Sequence, residues 1–244
     1  MRTIGRVLSV EIVKMSSRYL WLLILVSPAF AVLMGMSQSE EGPISWEFIL
    51  SVMGAIHGML FLPILSGLFT ALLCRYEHHN GGWKQLLSLP VSRGSVYLSK
   101  FIVAAVLLAA VQLLFLLCFL GVGWWREAGG PPPWEMVLPR ILGSWLATLP
   151  LAALQLAVSQ AWSSFAAPLA LNVTFTLPNM LVANSTTYGP YYPWVQPLIA
   201  MSPYGADGNF GALNLPLESL LVVVLGSFVL FFAAGLLSFH RKAV

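Results

Sequence analysis

Apolar runs close to the length of a bilayer core recur along the whole chain, at 19–36, 48–73, 101–124, 141–158, 161–183 and 217–239, with few polar residues between them. A hydrocarbon core of about 30 Å takes roughly 20 helical residues at about 1.5 Å each, so six spans fit the 244 residues and leave no soluble domain of ordinary size. Charged residues make up only 9% of the chain, whereas a soluble domain carries about 25%. The expected fold is an all-α integral membrane protein forming one transmembrane domain over 1–244.

The segment 1–18 is too polar to span. Ile4, Val7, Leu8, Ile12 and Met15 recur at helical spacing, while Arg2, Arg6, Lys14 and Arg18 share another face. That pattern predicts an amphipathic helix lying on an anionic membrane surface. Ala29-Phe30-Ala31 imitates a signal-peptide cleavage site, yet the apolar run continues through Met36 and reads as a full span. Six spans place both termini on one side. Ten of the twelve Lys and Arg residues fall there, with Arg126 and Arg140 opposite, and the positive-inside rule makes that side the cytoplasm. Topology therefore accounts for the basic charge, and nucleic acid is not an expected partner. Cys74 and Cys118 fall on opposite sides of the bilayer, so no disulfide is expected. His78 and His79 are adjacent and share no helical face, and no metal site is predicted.

Two places break the apolar pattern. Between the fourth and fifth runs only Ser159-Gln160 intervenes, with Trp162-Ser163-Ser164 able to join the turn, which predicts a short cytoplasmic hairpin. Residues 184–216 are polar, aromatic and rich in Gly and Pro around Leu198-Ile-Ala-Met201. This segment fits either a short re-entrant or interfacial element before the last span, or an outside loop with Tyr191, Tyr192 and Trp194 at headgroup level. Prolines 28, 63, 150, 168 and 178 fall inside runs, where missing amide donors predict kinks.

The segment 75–100 carries the most internal design. Gly81-Gly82 permits a bend, Trp83, Leu86 and Leu87 then follow at i, i+3 and i+4, and Pro90 stops the turn. Such a helical stub has one apolar face and a polar one at Lys84, Gln85 and Ser88. It fits a groove on a partner, or it rests on lipid.

Glu77 followed by Asn80-Gly-Gly-Trp-Lys-Gln-Leu-Leu-Ser-Leu-Pro-Val-Ser92 resembles the intracellular loop of type-2 ATP-binding cassette (ABC) permeases, and most nearly that of bacterial lantibiotic-immunity permeases. The resemblance implies that Glu77, Asn80, Gly81, Gly82, Trp83, Lys84, Gln85, Leu86, Leu87 and Pro90 form a coupling helix seated in a cleft of a cytoplasmic ATPase. It also implies a second, smaller contact at Ser159, Gln160, Trp162 and Ser163. The chain would then be the permease of an ATP-driven exporter in a bacterial cytoplasmic membrane, paired with a second permease chain and two copies of an ATP-binding subunit. ATP and magnesium would belong to that partner, with no cofactor in this chain.

His57 lies well inside the second run, and an intramembrane ionisable group is a functional candidate. Its flanking Gly54 and Gly58 form a G-x-x-x-G pair, which favours close packing as the simpler reading. With Tyr191, Tyr192 and Trp194 it is a candidate substrate contact. No H-E-x-x-H, G-x-S-x-G or P-loop occurs, so the chain is not expected to be an enzyme. The few charges within the runs favour an amphipathic or hydrophobic cargo such as a membrane-active peptide. Export of another antibiotic, a lipid-linked molecule or sodium stays open, as does a non-transporting scaffold or sensor coupled to an ATPase.

Overall fold

A computed structural model describes residues 2–15, 18–39, 42–78, 81–185, 187–202 and 217–242, and the regular elements among them are all helical. In chain order they are α1 (Arg2–Met15), α2 (Arg18–Ser37), α3 (Trp46–Ile56), a π-helical turn (His57–Phe61), α4 (Leu62–His78), α5 (Gly82–Ser88), α6 (Arg93–Trp125), α7 (Trp134–Ala161), α8 (Ala166–Thr176), α9 (Asn179–Ala183), a 3₁₀ turn (Gly189–Tyr191), α10 (Gln196–Met201) and α11 (Leu217–Arg241). Side-chain caps fix two of the starts. The Ser45 hydroxyl accepts from the Phe48 amide at 3.1 Å to begin α3, and Ser92 accepts from the Ser95 amide at 3.1 Å to begin α6.

Five of the described helices are long and apolar enough to cross a membrane: Leu20–Ser37, the continuous rod Trp46–His78, Arg93–Trp125, Trp134–Ala161 and Leu220–Arg241. The remaining expected span, 161–183, is divided. Residues 162–165 are outside any helix, α8 has 11 residues, and Leu177-Pro178 separates it from the five-residue α9. Pro178 has no amide with which to continue α8, and its carbonyl instead accepts from Leu181 and Val182, each at 3.0 Å, to start α9. The other prolines behave according to place. Pro28 and Pro150 sit within continuous α2 and α7, and Pro168 falls in the first turn of α8, where a missing amide costs nothing.

Pro63 explains the π turn. It cannot donate to Met59, and the ladder widens over His57–Phe61 just before it. The freed Met59 carbonyl accepts from Asn179 Nδ2 at 2.8 Å, and the Pro63 carbonyl accepts from Asn172 Nδ2 at 2.8 Å. Asn179 thus satisfies a carbonyl that lipid would leave unpaired, and Asn172 adds to the Pro63 carbonyl, which also accepts from the Ser66 hydroxyl at 2.7 Å.

The short α10 lies in the segment where a re-entrant or interfacial element, or an outside loop, is expected. Gln196, Pro197, Ile199, Ala200 and Met201 are all buried, and α10 packs on α3, the π turn and α7. Close approach is possible because the rod is bare there. A Cβ on Gly54 would stand 2.7 Å from Met201 Cγ, and one on Gly58 would stand 3.0 Å from Leu198 Cα. The G-x-x-x-G pair is therefore a packing device, and the surface it receives is α10.

Gly123 on α6 receives the Trp46 indole in the same manner, and an added Cβ would collide with the ring. Trp46 meets Phe119 edge-on with centroids 5.5 Å apart and donates from Nε1 to the Gly130 carbonyl at 3.0 Å, so it has little room to retreat. Gly123→Ala is expected to cost about 1–3 kcal/mol through overpacking. Gly121→Ala, where a Cβ meets nothing within 4 Å, is the neutral control in a thermal melt of the solubilised protein.

Candidate functional site

Four charged side chains from three helices converge at the end of the bundle where α4 gives way to α5. Glu77 near the end of α4 lies 2.6 Å from Lys14 Nζ of α1 and 3.0 Å from Lys100 Nζ of α6. Glu11 of α1 lies 3.2 Å from Lys14 and 2.9 Å from Lys100. Lys100 also donates to the Leu73 carbonyl at 2.6 Å. Glu11, Glu77 and Lys100 are all at most 3% exposed. Two carboxylates and two ammonium groups balance within the quartet, which is what lets them be buried together. It clamps α1 to both helices flanking the stub.

The resemblance made Glu77 a contact for the ATPase. In this structure Glu77 is buried at the root of the stub, paired with Lys14 and Lys100 inside the chain. By sequence alone Lys14 belongs to the basic face of α1, and the structure turns it inward to the quartet. Glu11, the lone acid in the first 18 residues, was the available signal for this cluster.

α5 realises the expected stub over Gly82–Ser88. Gly81 starts it with φ of 70°, a left-handed conformation that favours glycine. At Gly82 a Cβ would stand 2.8 Å from Glu77 Cα, so the stub folds back tightly on α4. The apolar face does not point outward. Trp83 is buried, meets Phe239 of α11 edge-on at 5.3 Å, and donates to His78 Nδ1 at 3.2 Å. Lys242 and Lys100 lie over its ring at 4.6 and 5.8 Å from the centroid. In this structure the tryptophan packs inside the chain. The outward face consists of Lys84, Gln85 and Ser88, followed by exposed Leu89 and Pro90. Leu86 packs against the Trp83 cluster. Asn80 and the Leu87 side chain lie outside the described residues.

The expected second turn stands beside the first. His78 Nε2 donates to the Ser159 carbonyl at 2.8 Å, the tautomer being set by Trp83 donating to Nδ1. Gln160 donates to the Gly235 carbonyl of α11 at 2.8 Å, and Lys242 donates to the Gln160 carbonyl. Burial draws the Lys242 ammonium below its ordinary pKa. Trp162 and Ser163 are exposed. Arg93 closes the assembly by donating to the carbonyls of Phe239, His240 and Lys242 at 3.1, 2.8 and 2.8 Å, satisfying the orphan acceptors of α11. The stub, the 159–165 turn and the last turn of α11 are thus one connected face, with Lys84, Gln85, Ser88, Trp162 and Ser163 outermost.

The candidate substrate contacts are not brought together. His57, on the rod, is fully buried where the rod meets α2 and α6. Ser27 Oγ stands 2.6 Å from Nδ1, Gln112 Oε1 stands 3.1 Å from Nε2, and Gln112 Nε2 donates to Ser144 Oγ at 2.7 Å. This chain of neutral groups ties four helices together, and Phe115 stacks on the imidazole at 4.1 Å. Trp194 is also internal, donating to Asn172 Oδ1 at 2.8 Å and stacking on Phe175 at 5.0 Å. Tyr192 donates to the Phe175 carbonyl at 2.7 Å, and Tyr191 is exposed. Among the described residues no group of His, Cys, Asp and Glu is arranged to hold a metal.

The family profile described as ABC-2 family transporter protein matches residues 7–179, from α1 through the start of α9. The chain belongs to the ABC-2 transporter family. No curated protein matches it. Membership makes the chain the multi-pass membrane subunit of an ABC transporter, not itself catalytic, and implies an ATP-binding ABC partner. The ABC-2 match contains both turns of the connected face and the quartet that braces them.

Proposed function

We propose that this ABC-2 subunit is the permease of an exporter that expels a hydrophobic or membrane-active peptide of the lantibiotic class from a bacterial cytoplasmic membrane. Two permease chains work with two ATP-binding subunits, and both termini are cytoplasmic. The observation that carries the reading is the connected face, in which the stub and the 159–165 turn present polar residues outward while Trp83, His78, Lys242 and the quartet brace them from behind. A permease without a nucleotide site responds to ATP only through contact, and a contact shifts a conformational equilibrium only if it differs between the two states. Load on α5 passes through Trp83 to α11, through His78 to the α7–α8 turn, and through Glu77 to α1 and α6. The buried polar groups at mid-span, Ser27, His57, Gln112 and Ser144, are neutral and bonded to one another, which supports an apolar cargo over an ion.

The test pairs the two exposed residues. Lys84→Glu with Gln85→Glu is expected to abolish copurification with the ATP-binding subunit and peptide-stimulated ATP turnover, while stability shifts by no more than about 0.5 kcal/mol. Retained copurification and turnover would contradict the coupling assignment. Intact coupling with peptide tolerance no better than in cells lacking the chain would keep the permease and overturn the cargo.

A further inference from the structure

A small cleft of about 30 Å³ opens beside the 159–165 turn, between the end of α4 and the start of α8, lined by Arg75, His78, Ser159, Ser163, Ser164 and Phe165 among others. Three features favour negative charge inside it. Arg75 is exposed, its guanidinium lies over the Phe165 ring at 5.6 Å from the centroid, and no carboxylate pairs with it among the described residues. Ser159 is 2% exposed, and its carbonyl accepts from His78, yet its hydroxyl has no hydrogen-bond partner among the described residues. The 11-residue α8 begins at the cleft wall, and no side chain caps it at Phe165, which leaves the positive end of the helix open there.

Size and charge identify the occupant. The cleft has about the volume that one water takes in the liquid, so it admits one small polar group and not a nucleotide. Glu11 and Glu77, the described acids at this end of the bundle, are both buried in the quartet, whereas Arg75 and Lys84 are exposed. The connected face therefore presents cations without exposed acids among the described residues, and an acidic partner surface complements it. The geometry points to a docking site for one Asp or Glu side chain of the ATP-binding subunit, with its carboxylate paired to Arg75 and accepting from the Ser159 hydroxyl. Arginine suits the task because its planar fork meets a carboxylate through two parallel bonds. A carboxylate seated there links α4 to the start of α8 from outside, beside the bond from His78 to Ser159 that links α4 to α7 from inside. The inference rests on the coupling face proposed above and names the chemistry that its partner brings.

The experiment uses the full chain with its ATP-binding subunit in nanodiscs containing phosphatidylglycerol. Arg75→Gln is expected to weaken the complex about thirtyfold in Kd, the size of an interface hot spot, while melting at the temperature of the unsubstituted chain. Arg75→Lys keeps the charge and adds a primary amine. A carbodiimide, which joins amines to carboxylates at zero length, is then expected to crosslink position 75 to one Asp or Glu of the ATP-binding subunit, located by peptide mapping. That arm reads the contact directly, whatever the stability of Arg75→Gln. Unchanged affinity in Arg75→Gln, or an intact Arg75→Lys complex with no crosslink from position 75 to the subunit, would overturn the proposal. So would loss of bound phosphatidylglycerol from Arg75→Gln with the subunit still held, because the cleft would then belong to a lipid phosphate. If Lys84→Glu with Gln85→Glu abolishes copurification while Arg75→Gln binds normally, the coupling face stands and the carboxylate contact alone falls. Normal binding by both variants would remove the face itself.

Discussion

Lys100→Met is expected to be among the most destabilising single substitutions in this protein, costing about 3–5 kcal/mol, because breaking a buried ion pair from one side leaves uncompensated charge. Lys100 is 2% exposed and stands within 3.0 Å of both Glu11 and Glu77. Without it, two buried carboxylates share Lys14, which is itself one quarter exposed. The sign of a second substitution separates this account from simple loss of packing. Removing Glu11 as well leaves Glu77 and Lys14 as a balanced pair at 2.6 Å. The double variant Glu11→Leu with Lys100→Met is therefore expected to melt at a higher temperature than Lys100→Met alone. If the two losses simply add, the quartet is not an electrostatic unit.

Asn172→Leu is the second large effect. Asn172 is wholly buried, donates to the Pro63 carbonyl at 2.8 Å and accepts from Trp194 Nε1 at 2.8 Å. Leucine has similar bulk and neither function. The Pro63 carbonyl keeps the Ser66 hydroxyl at 2.7 Å, but the buried Trp194 indole N–H is left without an acceptor, at a cost of about 1–3 kcal/mol that no water in the bilayer core offsets. Gly67 sets a further limit, because the Asn172 amide lies where its Cβ would be, so a branched apolar side chain fits poorly. The expected result is a lowered melting temperature together with increased solvent access to Trp194, read as a red shift and stronger quenching of its fluorescence against a Trp194→Phe background. A lowered melting temperature with unchanged Trp194 emission would mean that the aromatic segment is held by other contacts.

The helical membrane architecture was legible because a run of about 20 apolar residues has few other solutions. The stub was legible too, since Gly81-Gly82 and Pro90 bound it from either side. The direction of its apolar face was not. Periodicity shows that Trp83 and Leu86 share a face, but only the fold shows that Phe239 and Lys242, about 160 residues away, come to meet it. The quartet was hidden for the same reason. Glu11, Lys14, Glu77 and Lys100 look like surface charges until α1, α4 and α6 are brought together. The division of the 161–183 run was half legible, with Pro178 marking the break. The asparagines that make the break tolerable do so by reaching Met59 and Pro63, a pairing with no local signature. Trp194 misled for a simpler reason, because an aromatic among prolines and tyrosines reads as a headgroup anchor until a buried partner such as Asn172 is known.

The most direct test of the account is thiol protection at the connected face. Single cysteines at Lys84, Ser163 and Tyr188, in a background lacking Cys74 and Cys118, would be labelled in membranes with and without the ATP-binding subunit. All three positions are exposed. The account predicts that the cysteines at 84 and 163 are protected together when the partner is present, while that at 188 labels equally in both cases. Unchanged labelling at 84 and 163 with a bound partner, or protection at 188 alone, would contradict the assignment of the stub and the 159–165 turn as the contact through which ATP hydrolysis reaches the membrane.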